Sequence, residues 1–223
     1  MCVWPVRPCD SYASGGHLAA AHSRRSDASY SQHVPSLATP AVPPGSMAAL
    51  AQPEISSHGV MLRPWCPSDR PVVVAGYADP AIQCWHCRSM TTDEAADWID
   101  AWPARWHAET GGGWAIVHAG TIAGQISLRR LVLADGLAEV SFWVLPDARG
   151  QQIAGRALSA VTRWSFDALG LHRIELSHST ANTASCRVAH YANFPAEGTK
   201  RGEAHHADGW HDMHLHARLA VDA

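Results

Sequence analysis

Apolar and polar residues alternate with two different periods along the chain, and the changes between them predict a mixed set of elements. Residues 60–65 form a short apolar strand, and a helix is predicted from near Arg70. Thr91 and Glu94 have the spacing of a capping box that opens a second helix. That helix carries Trp98, Trp102 and Trp106 on one face, and Pro103 is expected to bend or stop it.

The second half of the chain alternates between strands and helices. A hairpin is predicted at residues 114–117 and 122–128, followed by a strand at 140–144. A long helix follows from about Gln152 to Leu169, closed by Gly170. The remaining elements are a strand at 172–177, a helix at 182–192 and strands at 196–200 and 210–219. This order predicts one domain of the mixed α/β class over residues 54–223.

Residues 1–53 differ from the rest of the chain. They are rich in Ser, Ala, Pro, Gly and His, they show no helical or strand period, and residues 35–46 have the composition of a linker. We therefore expect a disordered or low-complexity N-terminal extension. The sequence leaves open whether Met47 is the true start.

Composition and charge narrow the classes of function. The 223 residues are 47% hydrophobic and 17% charged, with a formal net charge of −3, so no basic field indicates nucleic acid as a partner. Apolar runs are too short to span a membrane, and no signal peptide is expected. The six cysteines show no disulfide spacing, which favours a reduced, cytoplasmic protein.

The junction between the 140–144 strand and the long helix is a candidate anion site. Arg149 and Gly150 lie in the turn before the helix, and the first backbone N–H groups of a helix lack intrahelical acceptors. The helix dipole adds partial positive charge there. The pattern therefore indicates binding of a phosphate or pyrophosphate.

Three blocks of the chain, in order, resemble the GNAT superfamily of N-acetyltransferases. They are AEVSFWVLPDARGQQIAGRAL, LGLHRIELSHSTANTASCRVAHYANFPAEGTKR and DGWHDMHLHARL. Within the superfamily they are most similar to the Rim-type branch, whose enzymes acetylate α-amino groups of ribosomal proteins. The resemblance implies a central mixed, largely antiparallel twisted sheet flanked by helices. It also implies acetyl-CoA as cosubstrate and direct acetyl transfer to a primary amine.

The acetyl-CoA signature of the family, Arg/Gln-x-x-Gly-x-Gly/Ala, places the cofactor phosphates on the turn before the long helix. The positions matched without gaps are Arg149, Gly150, Gln151, Gln152, Ile153 and Ala154. Gln152 stands where the family has its second glycine, a change that is expected to weaken CoA binding. A literal match also begins at Gln152 and ends at Ala157, but it would lengthen the turn and shorten the helix.

The resemblance extends to residues around the reacting thioester. The preceding strand, here Trp143, Val144 and Leu145, is implied to pair with the pantetheine arm, and a backbone N–H such as that of Val144 would polarise the carbonyl. Asn182 is implied to contact the cofactor or to cap its helix. Ser185 is implied to lie near the thiol.

Glu139 is the best-placed candidate base, directly or through water. Its alternative is an exposed carboxylate on a strand. Glu139 and Ser185 are thus the candidate catalytic residues.

Three readings of the whole protein remain open. The first is an N-acetyltransferase whose acceptor is a protein N-terminal amine or a small-molecule amine, in a monomer or homodimer. The second is a catalytically weak acyl-CoA-binding or regulatory protein. The third is a metal-binding protein, since His214 and His216 share a strand face, but no Cys or carboxylate of matching spacing joins them, so no metal is expected.

Overall fold

The computed structural model describes residues 38–222, and residues 40–222 belong to one compact unit. Its strands are β1 (Ile55–Ser57), β2 (Val60–Pro64), β3 (Gly112–His118), β4 (Thr121–Val132), β5 (Leu137–Val144), β6 (Arg173–Ser179), β7 (Ala196–His206) and β8 (Gly209–Leu219). Its helices are α1 (Arg70–Ala78), α2 (Pro80–His86), α3 (Thr92–His107), α4 (Ile153–Asp167) and α5 (Thr183–Tyr191).

The strands form one sheet in the order β1-β2-β3-β4-β5-β6-β8-β7. Every neighbouring pair is antiparallel except β5 and β6, which run parallel and are joined across the sheet by α4. Helices cover both faces. The predicted mixed, largely antiparallel sheet flanked by helices is confirmed.

Each face of the sheet has its own apolar layer. The apolar stripe of α4, including Ala157, Leu158 and Val161, is buried against one face, as its period predicts. The opposite face packs against α1, α2 and α3. Of the two outcomes expected at Pro103, a bend or a stop, the stop does not occur, because the last of these helices continues to His107.

Residues 40–53, expected to belong to a disordered extension, pack on the domain. Val42 and Met47 are fully buried in the core, and the backbone N–H of Val42 donates to the carbonyl of Leu133 over 3.0 Å. The Glu109 carboxylate accepts from the backbone N–H groups of this segment, including that of Met47 over 2.7 Å. The expectation is wrong for these residues because distant parts of the chain satisfy their polar groups. Residues 1–37 lie outside the described residues.

Candidate functional site

A cleft opens where the two parallel strands of the sheet separate. β5 and β6 pair only over Leu137–Glu139 and Arg173–Glu175, after which β5 continues to Val144 beside β4 alone. The far half of β5 therefore presents a free edge. The cavity at this edge has a volume of about 560 Å³ and is enclosed by α2, the start of α4 and one side of α5.

The free edge of β5 offers backbone hydrogen-bonding groups to the cleft. The carbonyl of Phe142 accepts from His86 Nε2 (3.3 Å), and that of Val144 accepts from Arg149 Nε (3.1 Å). Neither donor lies on β4, so the polar groups of these two strand residues point away from β4. Because the groups of one residue share a side in an antiparallel pair, the Val144 N–H also faces the cleft.

The turn before α4 has the shape expected of an anion site. Gly150 (φ 77°) and Gln152 (φ 58°) both adopt left-handed backbone conformations, and α4 begins at the next residue. The first helical hydrogen bond runs from the Arg156 N–H to the Gln152 carbonyl at 3.0 Å. The N–H groups between them have no intrahelical acceptor and lie at the positive end of the helix dipole.

This geometry favours the gap-free alignment of the acetyl-CoA signature. In that alignment, both residues with positive φ fall on signature positions, and Gln152 occupies the glycine position that needs the left-handed conformation. The alternative match would place signature positions inside α4. There, Gly155 packs so closely on Tyr191 that an added Cβ would lie 2.3 Å from its ring.

The side chain of Arg149 forms an ion pair with the residue that caps α2. Its guanidinium forms an ion pair with Asp79 at 2.5 Å, and Asp79 also caps α2 by accepting from the Ile82 N–H at 3.0 Å. Desolvation opposes ionisation of Asp79, but the hydrogen bonds from Arg149 and the α2 backbone outweigh it and lower its pKa. The Asp79 carboxylate is therefore ionised and holds Arg149 at the cleft wall. A phosphate that binds Arg149 would have to share the guanidinium with this carboxylate.

The N-terminus of α5 forms the opposite wall. Asn182 is buried and caps the helix, its side-chain oxygen accepting from the Ser185 N–H at 3.1 Å. Both residues line the cleft, together with Arg187. The cap observed here is one of the two roles expected for Asn182, and contact with a ligand stays a prediction.

The structure brings most of the predicted cofactor residues to the cleft. Those that line it are Trp143, Val144, Arg149, Gly150, Gln152, Ile153, Ala154, Asn182 and Ser185. Leu145 instead packs in the apolar layer beneath α1 to α3, and the Gln151 side chain donates to the Asp147 carbonyl. Leu145 and Gln151 therefore contact the protein around the turn and do not line the cleft.

Glu139, the candidate base, does not line the cleft. It is buried on the last paired residue of β5, and its two carboxylate oxygens form ion pairs with Arg129 (2.5 Å) and Arg130 (2.8 Å) on β4. The alternative of an exposed strand carboxylate is wrong, because Glu139 is buried. A carboxylate with both oxygens engaged by guanidinium groups is poorly placed to accept a proton from an amine, so the arrangement favours a role in holding β4 to β5.

His86 lines the cleft and was not among the predicted site residues. Its Nε2 donates to the Phe142 carbonyl, which leaves Nδ1 buried and without a hydrogen-bond partner among the described residues. Burial lowers the pKa of His86 to about 3, so the ring is neutral at pH 7. His86 is the last residue of α2, within a Cys-Trp-His-Cys run of the sequence. Its place at the cleft follows only from the packing of α2 against β5.

The tryptophans divide between the cleft and the core. Trp85 and Ile82 of α2 form an apolar wall of the cleft. Trp102 and Trp106 of α3 are buried, as large aromatic residues in one helical row usually are.

The described residues contain no helix with the length and apolar character needed to cross a bilayer. Their four cysteines, Cys66, Cys84, Cys87 and Cys186, are free thiols.

Known proteins share both the sequence pattern and the fold. The acetyltransferase (GNAT) domain family matches residues 60–194. The chain is 25% identical over 104 residues to the putative ribosomal N-acetyltransferase YdaF of Bacillus subtilis, covering 47% of this chain and 57% of that protein. It is 26% identical over 153 residues to the uncharacterized N-acetyltransferase YoaA of the same organism, covering 67% of this chain and 86% of YoaA.

Among solved structures, Mycobacterium smegmatis RimJ in complex with CoA-disulfide superposes with a TM-score of 0.69. The two chains are 23% identical, and the match covers 76% of this chain and 87% of RimJ. The family match spans more than half of the chain and includes the turn, the cleft strand and α5. The chain therefore belongs to the GNAT acetyltransferase family, as its three sequence blocks predicted.

Proposed function

We propose that the protein is an N-acetyltransferase that transfers the acetyl group of acetyl-CoA directly to a primary amine. The observation that carries this proposal is the cleft between β5 and β6, with the N-terminus of α4 at its mouth. One end offers unpaired N–H groups for a diphosphate, and the other offers the Val144 N–H on a free strand edge. This order of groups matches the order of diphosphate and thioester along acetyl-CoA.

The phosphate end of the cleft fits the cosubstrate. Gly150 leaves open space where a side chain would stand, since an added Cβ meets no atom within 4 Å. Arg149 and Arg187 supply positive charge beside the turn. The Gln152 N–H is available in the same turn, while its side chain must turn aside for the phosphates to approach.

At the thioester end, the proposed chemistry needs donors for the carbonyl oxygen and the departing thiolate. The Val144 N–H is the proposed donor to the carbonyl as it gains charge. Ser185, at the opposite wall, is the proposed donor to the thiolate.

For the amine, the structure offers an acceptor of hydrogen bonds in place of a strong base. His86 lines the cleft, and its Nδ1 carries a buried lone pair with no hydrogen-bond partner among the described residues. A pKa of about 3 is far below that of an α-ammonium group, about 7.7–8.0, so His86 cannot hold a proton taken from the amine. We propose that it orients the neutral amine, while the proton leaves to water. A role for Glu139 as the base stays a prediction, which the Glu139→Gln variant tests.

The acceptor class is proposed from the relatives. YdaF is named a putative ribosomal N-acetyltransferase, which favours a protein N-terminal α-amine. A small-molecule amine is the other possibility, because the apolar wall of Ile82 and Trp85 can receive either. A cytoplasmic location and a monomer or homodimer stay predictions.

A second candidate is an acyl-CoA-binding protein with little turnover. The observation that favours it is Gln152, a bulky residue in a left-handed conformation at a glycine position of the phosphate turn. Thiol release from acetyl-CoA, measured against a panel of N-terminal peptides, polyamines and aminoglycoside-type amines, separates the two. Turnover above the hydrolysis background with any amine supports the transferase, whereas CoA binding without turnover across the panel supports the second candidate.

A further inference from the structure

Three histidines and a cysteine meet on the side of α5 that faces away from the cleft. His178 lies on β6, Cys186 on α5, and His214 and His216 on β8. One ligand atom from each residue lies within 4.8 Å of those of the others. His178 and His216 are fully buried, whereas Cys186 and His214 are partly exposed, which leaves a path from solvent to the cluster.

Backbone carbonyls fix the tautomers of the two buried histidines. His178 Nδ1 lies 2.8 Å from the Ser179 carbonyl, and His216 Nδ1 lies 3.0 Å from the Phe194 carbonyl. A carbonyl oxygen only accepts, so each Nδ1 carries the hydrogen. In a neutral ring, each Nε2 then carries a lone pair.

Both Nε2 atoms are buried and have no hydrogen-bond partner among the described residues. Two buried acceptors without donors are unfavourable unless something binds them. Metal-binding histidines characteristically donate their other ring N–H to a carbonyl or carboxylate, and both rings show this arrangement here.

We propose that His178, Cys186, His214 and His216 bind a zinc ion with four-coordinate geometry. Zinc bonds of about 2.0–2.3 Å to nitrogen and sulfur place tetrahedral ligand atoms about 3.3–3.8 Å apart. Ligand atoms as far apart as 4.8 Å would have to approach by about 1 Å, a movement within the reach of side-chain rotation. A thiolate with three imidazoles suits zinc, and four protein ligands make a closed, structural site.

The proposal departs from the sequence-based expectation that this chain has no metal site. The sequence places His214 and His216 on one strand face, whereas the cysteine and the third histidine come from α5 and β6. Sequence spacing does not reveal them because their approach depends on the packing of α5 over the sheet.

A zinc ion bound here would link α5 to the strands β6 and β8. Zinc displaces the Cys186 thiol proton to solvent and joins the sulfur to imidazoles on β6 and β8. The opposite side of the same helix presents Asn182 and Ser185 to the cleft. The ion would therefore hold in place the helix that forms one wall of the cleft.

The test uses the full-length protein after removal of any affinity tag. The protein is dialysed against a chelator, reconstituted with zinc, desalted and analysed for metal by mass spectrometry. Cobalt is loaded in parallel, because a cobalt–thiolate bond gives a near-ultraviolet charge-transfer band that histidine ligands alone do not give. The variants are Cys186→Ser and His178→Gln, with Cys84→Ser and His205→Gln as matched controls at exposed positions.

We expect about one zinc per chain in the unmodified protein and in both controls, and less than about 0.2 in the two ligand variants. The cobalt charge-transfer band should disappear in Cys186→Ser. Circular dichroism of the metal-free variants checks that they are folded, and a folded variant without metal supports the proposal. Zinc content that is unchanged in Cys186→Ser, or a cobalt complex without the charge-transfer band, overturns it.

Discussion

Replacing Gln152 with glycine should stabilise the protein and strengthen CoA binding together. Gln152 has a left-handed backbone (φ 58°, ψ 15°) and no side-chain capping bond at the start of α4. A residue with a Cβ costs about 1–2 kcal/mol in this conformation. Glycine removes that cost but adds about 0.5–1 kcal/mol through the greater freedom of the unfolded chain.

The difference between these two terms is a net stabilisation of about 0–1.5 kcal/mol, centred on about 0.75 kcal/mol. In a protein of this size it raises the midpoint of thermal unfolding by about 1–4 °C. The neighbouring Gln151→Gly is the matched control, because Gln151 has no positive φ and its side chain donates to the Asp147 carbonyl. That variant should lower the midpoint instead.

The same pair of variants tests the phosphate turn. Without its side chain at residue 152, the turn allows closer approach of phosphate oxygens. We expect the Kd for CoA in Gln152→Gly to fall about fivefold, equivalent to about 1 kcal/mol. Thermal unfolding and isothermal titration calorimetry on both variants provide the readouts. Equal destabilisation of the two variants would show that the left-handed backbone at residue 152 carries no cost. A CoA affinity that Gln152→Gly leaves unchanged or weaker would show that the Gln152 side chain does not hinder the phosphates.

Three further changes test other parts of the site. Glu139→Gln should destabilise the protein by about 1–3 kcal/mol, since it removes the charged partner of the partly buried Arg129. The kcat should be preserved at temperatures where the variant is folded, and a large loss of kcat in the folded variant would support Glu139 as the base. His86→Gln keeps a donor for the Phe142 carbonyl but removes the Nδ1 acceptor. We therefore expect KM for the amine to rise about tenfold, with unchanged CoA affinity. An unchanged KM would show that His86 does not contact the amine substrate. Backbone hydrogen bonds from residues 45–48 lower the pKa of Glu109 below its ordinary 4.5, so its stabilisation is complete above that pH and is lost as pH falls through the folded-state pKa. Glu109→Gln should therefore flatten the acid limb of a pH–stability curve, and a limb identical to that of the unmodified protein would contradict the assignment.

Local signals in the sequence were sufficient for most of the elements. The Thr91 and Glu94 capping box starts α3 as predicted, with the Thr91 N–H donating to Glu94 at 2.7 Å. The apolar stripe of α4 and the turn at Gly150 are encoded by residues close together in the sequence. The structure confirms both, with the stripe buried against the sheet and Gly150 in a left-handed conformation. The family pattern then located the cleft residues on either side of that turn.

The errors concern contacts between residues far apart in the chain. The segment at residues 40–53 has a linker's composition, yet Glu109, more than fifty residues away, holds its backbone. Glu139 looked like an available carboxylate because its partner Arg129 belongs to the neighbouring strand β4. His86 became visible only when α2 was seen to meet the free edge of β5.

The cleft between β5 and β6 is expected to hold acetyl-CoA through the turn before α4. This binding can be measured by calorimetric titration of acetyl-CoA into the desalted full-length protein. We expect saturable binding with one site per chain, weakened when Arg149 is replaced by alanine. If no binding is detected, or if Arg149→Ala binds as tightly as the unmodified protein, the turn before α4 does not hold the cosubstrate.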